Sequence, residues 1–289
     1  MTPRPRRPGG DGNGGDGSTP RQPSQQSGSV DASSSISGAQ RTTRGIADRG
    51  RAGGASGQGT TPQGRTPTGT ADRPGLPEDR RGTQDLESVP TNPNGLIENV
   101  GDQSVGDYLH DRATARANDL RAMRENGEVS GREVGPVNAV GIDRRTGEVV
   151  EGVNGRQRES IPEDRLHPVL RERLDQMRAG GPYPQYNPDG SPALDSNGQQ
   201  VTTVYPHGDD PLRHAEVKVV NELLWRRGPD ADASVMNEFQ VDTQFPFGPD
   251  GIRDAPCCAN CNRLLEGTPN NAGRLTHPPG HPDQRFIPR

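Results

Sequence analysis

His214-Ala215-Glu216-Val217-Lys218-Val219-Val220-Asn221-Glu222-Leu223-Leu224-Trp225 and Pro256-Cys257-Cys258-Ala259-Asn260-Cys261 are the two stretches on which the fold turns. In the first, Ala215, Val219, Val220, Leu223 and Leu224 fall close to helical spacing. The pattern predicts a helix from Pro211 to Trp225, ended by Gly228-Pro229. The second stretch opens a shorter helix, Pro256 to Leu265, with Gly267 beyond its end. Cys258 and Cys261 are three apart and share a helix face. A helix N-terminus favours the thiolate, the form that binds zinc. His214 can supply a third, neutral ligand, and three protein ligands leave a fourth tetrahedral position for water. Zinc would bring the pKa of that water toward ~7. Glu216 then stands beside the metal without ligating it and can carry protons. Cys257 is the competing ligand, but the C-x-x-C spacing favours Cys258.

Working outward, Asp107 to Arg124 carries an imperfect apolar stripe of Leu109, Ala113, Arg116, Leu120 and Met123 and reads as a helix, with Gly127 as its stop. Val137–Asp143 and Glu148–Asn154 are short apolar runs around the turn Arg145-Thr146-Gly147, a β-hairpin. His167-Pro168 to Met177 is a short helix. Residues 182–212 are rich in Pro, Gly, Asn and Asp and read as a loop. Ser234 to Val241 reads as a strand, and Arg285-Phe286-Ile287 as a last one.

The rest of the chain is of a different kind. Of 289 residues, only 26% are hydrophobic and 3% aromatic, against 39 Gly and 29 Pro, so a core cannot run through the whole length. Residues 1–100 contain no Phe, Trp, Tyr or Cys. We assign 1–104 as a disordered, low-complexity leader and 105–289 as the folded domain. Residues 1–100 carry 12 Arg against 10 Asp+Glu, while the remainder carries 22 Lys+Arg against 29 Asp+Glu. An acidic folded part argues against a non-specific duplex binder, which needs cations facing phosphates. No signal peptide and no apolar run of membrane-spanning length is visible. Three Cys within five positions are no disulfide framework and point to metal or redox chemistry.

The two motifs together resemble the zinc-dependent cytidine-deaminase-like superfamily, whose signature is H-x-E followed by P-C-x-x-C. The resemblance covers roughly residues 105–289, about one domain. The order helix, hairpin, helix with H-x-E, strand, helix with C-x-x-C also fits. Gly152-Val153-Asn154 looks like the family's G-x-N, whose Asn contacts substrate, so Asn154 inherits that role. More narrowly, His-Ala-Glu-Val with Pro-Cys-Cys-Ala-Asn-Cys-x-Arg-Leu-Leu is similar to the YwqJ-like deaminases of bacterial polymorphic toxins. This implies a three-layer α/β domain and zinc held by His214, Cys258 and Cys261, with Glu216 as the proton carrier. The implied reaction is hydrolytic deamination of a nucleobase, cytosine favoured, in single-stranded nucleic acid or nucleotide. It also implies a toxin that is secreted or delivered into a target-cell cytoplasm, with a cognate immunity protein as partner and no membrane role. Two departures stand out: the extra Cys257, and only 28 residues after Cys261 to complete the sheet edge.

Rival readings remain open on the residues alone. Cys258-x2-Cys261 and His277-x3-His281 meet a structural-zinc spacing, although the prolines around both His exclude the helix such a site uses. A redox C-x-x-C pair, a non-catalytic zinc-stabilised interaction domain and a housekeeping nucleoside deaminase are the others. His110, His167 and His207 read as surface residues, and Trp225 as core. Tyr183, Tyr186 and Tyr205 read as loop packing rather than a base-stacking platform. Arg213, Arg263 and Arg274 are the local cations available for a nucleic-acid backbone.

Overall fold

The computed structural model describes residues 81–84, 89–130, 134–155 and 160–289, all within the unit Asp31–Arg289. The leader expected over 1–104 lies mostly outside the described residues. Its last part is built into the fold: Ile97 is fully buried with Leu109, Val140, Ile142 and Val149, and Val89 and Val100 pack against that cluster.

The centre is a five-stranded antiparallel sheet. It is made of β1 (Arg81–Thr83), β4 (Asn138–Asp143), β5 (Glu148–Val153), β8 (Phe239–Gly248) and β9 (Gly251–Asp254), in the order β1-β5-β4-β8-β9. The expected hairpin is β4–β5, paired Asn138↔Val153 through Ile142↔Val149. Asp143 shapes its turn: Oδ1 accepts from the Arg145 and Thr146 N–H groups, and Gly147 takes the left-handed conformation at φ 76°. The small hairpin β2 (Asn99–Val100) with β3 (Gln103–Ser104) leads into helix α1 (Val105–Glu125). Ser104 caps α1 by accepting from Asp107 N–H at 3.1 Å.

Side chains alternate across the sheet and divide the core in two. Val140, Ile142 and Val149 face α1 and meet Leu109 and Ala113. Ala139, Val150, Val241 and Phe245 belong to the opposite cluster, with helix α2 (Pro168–Ala179), helix α3 (Ala215–Arg227) and the short helix α4 (Ala259–Leu264). The result is a mixed α/β domain with helices on both faces of the sheet, the expected three layers. Two glycines let α3 lie close. A Cβ at Gly141 would stand 2.5 Å from Val219 Cγ1, and one at Gly152 would stand 3.1 Å from the Ala215 carbonyl oxygen.

Several elements differ from expectation. The helix expected from Pro211 begins as a separate 3-10 turn, Pro211–Arg213, capped by Asp210. His214 is extended (φ −71°, ψ 138°), and α3 starts only at Ala215. The strand expected at Ser234–Val241 is a 3-10 segment, Ala233–Glu238, followed by the long strand β8. Its hairpin with β9 turns at Pro249-Asp250, a turn dipeptide. Within 182–212, β6 (Tyr183–Pro184) pairs with β7 (Thr202–Thr203), and bridges Tyr186↔Pro192 and Leu194↔Gln200 extend the ladder. Asp189 and Asp195 accept from backbone N–H groups two residues on and stiffen its turns.

The short C-terminal stretch does complete the sheet edge. Where β9 stops, Val241 N–H donates to Pro269 O and Asn271 N–H to Val241 O, both at 2.9 Å. A last hairpin, β10 (Arg274–Leu275) with β11 (Phe286–Ile287), follows. Among the described residues no helix is long and apolar enough to cross a membrane.

Candidate functional site

The site forms where α3 and α4 both begin, on the face of the sheet opposite α1. Asn154, just past the end of β5, accepts the Ala215 N–H on Oδ1 at 2.6 Å. That bond satisfies one of the orphan donors of the helix start and fixes where α3 begins. It leaves His214 extended at the mouth of the helix and Glu216 in its first turn. Across from it, Cys258 occupies the N-cap position of α4 and Cys261 lies one turn on, with Asn262 N–H bonded to Cys258 O at 2.8 Å.

These elements bring His214, Cys258 and Cys261 together: one ligand atom from each lies within 4.8 Å of the others, and all three residues are buried. His214 Nδ1 is 3.0 Å from Cys261 Sγ and 3.6 Å from Cys258 Sγ. Two thiols facing one ring nitrogen are the soft donor set that suits zinc. Among the described residues this is the one His/Cys/Asp/Glu group compact enough to hold a metal ion. Glu216 is buried beside it, and burial raises its pKa above the ordinary carboxyl value, with His214 acting against the shift.

The two thiols are shifted in opposite directions. The Cys261 hydrogen bond, with His214 adding to it, holds Cys258 well below the usual thiol range despite burial. Burial and the neighbouring Cys258 push Cys261 well up. Burial disfavours charge on His214, but Asp209 and Cys258 outweigh it and raise its pKa.

Cys257 stands apart from this group. Its sulfur accepts from Asn270 Nδ2 at 3.0 Å, and its backbone is tied to Gly273 and Leu275. His277 and His281 stack on each other at 4.2 Å between centroids, and His281 meets Tyr186 edge-on. The rival four-ligand set therefore is not assembled. Tyr183 donates to Met177 O, and Tyr205 accepts from Arg178 Nε, so both are engaged in packing the loop. Arg213 lies 4.0 Å from Asp210, Arg263 covers the Tyr183 ring, and Arg274 donates to Thr268 O. All three are engaged within the fold.

Two expectations about histidine are corrected. His167 is fully buried, bonded to Gly228 O at 3.0 Å and edge-on to a half-buried Trp225. His207 is also buried, and its Nδ1 lies 2.8 Å from Asp209 Oδ1. Asp209 in turn places Oδ2 2.8 Å from His214 Nε2. The sequence reading passed over Asp209 as part of a loop. The signal it carried was the pair His207-x-Asp209 directly before the Asp210-Pro211 helix start, whose partner His214 was already marked. The two imidazoles outweigh burial and hold the Asp209 carboxyl well below the usual range.

The YwqJ-like deaminase family matches this chain over residues 125–270, a span that contains Asn154, His214, Glu216, Cys258 and Cys261. No curated protein and no solved structure matches it.

Proposed function

Because the chain belongs to the YwqJ-like deaminases, a branch of the cytidine-deaminase-like superfamily, we propose that it is a zinc-dependent hydrolase that removes the exocyclic amine of a nucleobase, cytosine in the first place. The observation that carries the reading is Glu216, a buried carboxyl beside three buried residues able to hold a metal. A purely structural metal site has no use for such a group, and burying it costs stability. That cost separates this reading from a zinc-stabilised interaction domain.

His214 through Nδ1 and the sulfurs of Cys258 and Cys261 would hold the ion. What zinc supplies when bound is a water molecule acidified toward neutral pH. Glu216 works on protons: its carboxylate accepts one and delivers it to the ring nitrogen next to the amine-bearing carbon, N3 of cytosine. It then assists the departure of ammonia. Cytosine and water become uracil and ammonia. Asn154 spends Oδ1 on Ala215 N–H, so its contact with substrate is made by Nδ2 as a donor to a base or sugar oxygen.

Single-stranded nucleic acid or free nucleotide is the favoured form. A paired base must first leave the stack, at a cost of a few kcal/mol. With 29 Asp+Glu against 22 Lys+Arg beyond residue 100, this chain is poorly equipped to recover that cost on a phosphate backbone. The Gly-, Pro- and Ser-rich stretch before the domain supports a delivered bacterial toxin, with a cognate immunity protein as its partner. The test is ammonia release from matched single-stranded and duplex cytosine oligonucleotides and from cytidine monophosphate. The wild type should act fastest on an unpaired substrate, and Glu216→Ala should release ammonia about 10²–10⁴-fold more slowly. Faster reaction on duplex overturns the substrate form; no release from any cytosine substrate overturns cytosine.

A further inference from the structure

We propose that Asp209 is a positioning residue of the metal centre: it fixes the ring orientation and tautomer of His214 so that Nδ1 faces the two thiols. This rests on reading His214, Cys258 and Cys261 as a metal site. The geometry is a closed circuit of buried groups. His214 Nε2 lies 2.8 Å from Asp209 Oδ2. An ionised carboxylate only accepts, so the proton of a neutral imidazole sits on Nε2 and the Nδ1 lone pair is left for the ion.

Asp209 is itself held from three directions. Its Oδ1 takes the His207 Nδ1 contact at 2.8 Å and an N–H of Asn260 at 3.2 Å. Asn260 also donates to the His207 and Asp209 carbonyl oxygens at 2.8 and 3.1 Å and accepts the His207 N–H at 2.8 Å. Asn260 stands between Cys258 and Cys261 in the chain and is fully buried. One side chain from the first turn of α4 thus braces the loop that aims the imidazole. The distance between the His and Cys donors is set twice, once through α3 and once through Asp209 and Asn260. A supporting partner of this kind typically changes metal affinity 10–100-fold when removed.

The experiment compares full-length wild type, Asp209→Ala and Asp209→Asn. It measures zinc affinity by chelator competition and the His214 ring nitrogens by 15N NMR of the zinc-loaded protein. Asp209→Asn keeps the size and an acceptor oxygen, so it decides the matter if Asp209→Ala does not fold. We expect about 10–100-fold weaker zinc binding and a rapidly exchanging Nε2 proton in Asp209→Ala. In Asp209→Asn we expect a smaller loss of affinity and a retained Nε2–H signal. Wild-type zinc affinity in every variant that folds overturns the proposal, as does weaker binding with an unchanged Nε2–H signal in Asp209→Ala. A wild type that binds zinc but never releases ammonia would instead count against the deaminase reading and leave this one standing.

Discussion

The two faces of the sheet bury charge in opposite ways. On the α1 side the Glu151 carboxylate is met within the chain: it takes Arg112 Nε at 2.7 Å, and Arg116 Nε lies 3.8 Å from its other oxygen. One carboxylate meets two guanidinium groups that cannot lose their protons. On the α3 side, Asp209, Glu216, Cys258 and Cys261 are gathered around two imidazoles, His207 and His214. Acceptors and thiols outnumber the bases there. A divalent cation would balance that cluster, whereas Glu151 already faces two guanidinium groups. The contrast separates a buried carboxylate met by guanidinium groups from a buried group of donors that could hold a metal ion.

That contrast can be broken at four residues. Cys258→Ala should have the largest effect, removing both metal and turnover. Zinc at about a thousandfold over its Kd should stabilise the wild type by about 4 kcal/mol and this variant by none, as read in thermal melts. Glu216→Ala should keep its zinc and lose turnover by about 10²–10⁴-fold, the usual contribution of a positioned proton carrier. If it loses its metal instead, Glu216 is a ligand. Glu151→Ala should do the reverse: it leaves two guanidinium groups without their carboxylate and costs about 3–5 kcal/mol in denaturant titration. Its zinc stoichiometry should be unchanged. Cys257→Ser should shift stability by only about 1 kcal/mol, because a hydroxyl can still accept from Asn270 Nδ2. Equal zinc loss in this variant and in Cys258→Ala would move the ligand to Cys257.

Much of the site was legible because its residues lie on, or directly beside, the ends of regular elements. The β4–β5 hairpin shows its turn at Arg145-Thr146-Gly147, and His214, Glu216, Cys258 and Cys261 keep short, characteristic spacings. Asp209 and Asn260 were not legible, because their roles depend on a loop and the first turn of α4, more than forty residues apart, meeting in space. Strand β8 was cut short in the reading at Val241. Asp242 and Gln244 look like the start of a polar loop, yet both are buried on the α1 face, where Asn271 and Thr114 meet them. Ile97 is a lone aliphatic in a polar stretch. Its burial follows from α1 and the hairpin turning back over it, with its N–H bonded to Arg144 O at 2.7 Å.

His214, Cys258 and Cys261 are expected to act as one metal centre. Cobalt(II) titration of the metal-free, reduced chain tests it most directly, because thiolate-to-cobalt charge-transfer absorption reports the sulfur ligands themselves. Saturation is expected at one cobalt per chain. The band should fall in Cys258→Ala and in Cys261→Ala, keep its intensity in Cys257→Ser, and disappear on displacement by zinc. Cobalt binding without a thiolate band, or a band that Cys257→Ser weakens as much as Cys258→Ala does, would contradict it.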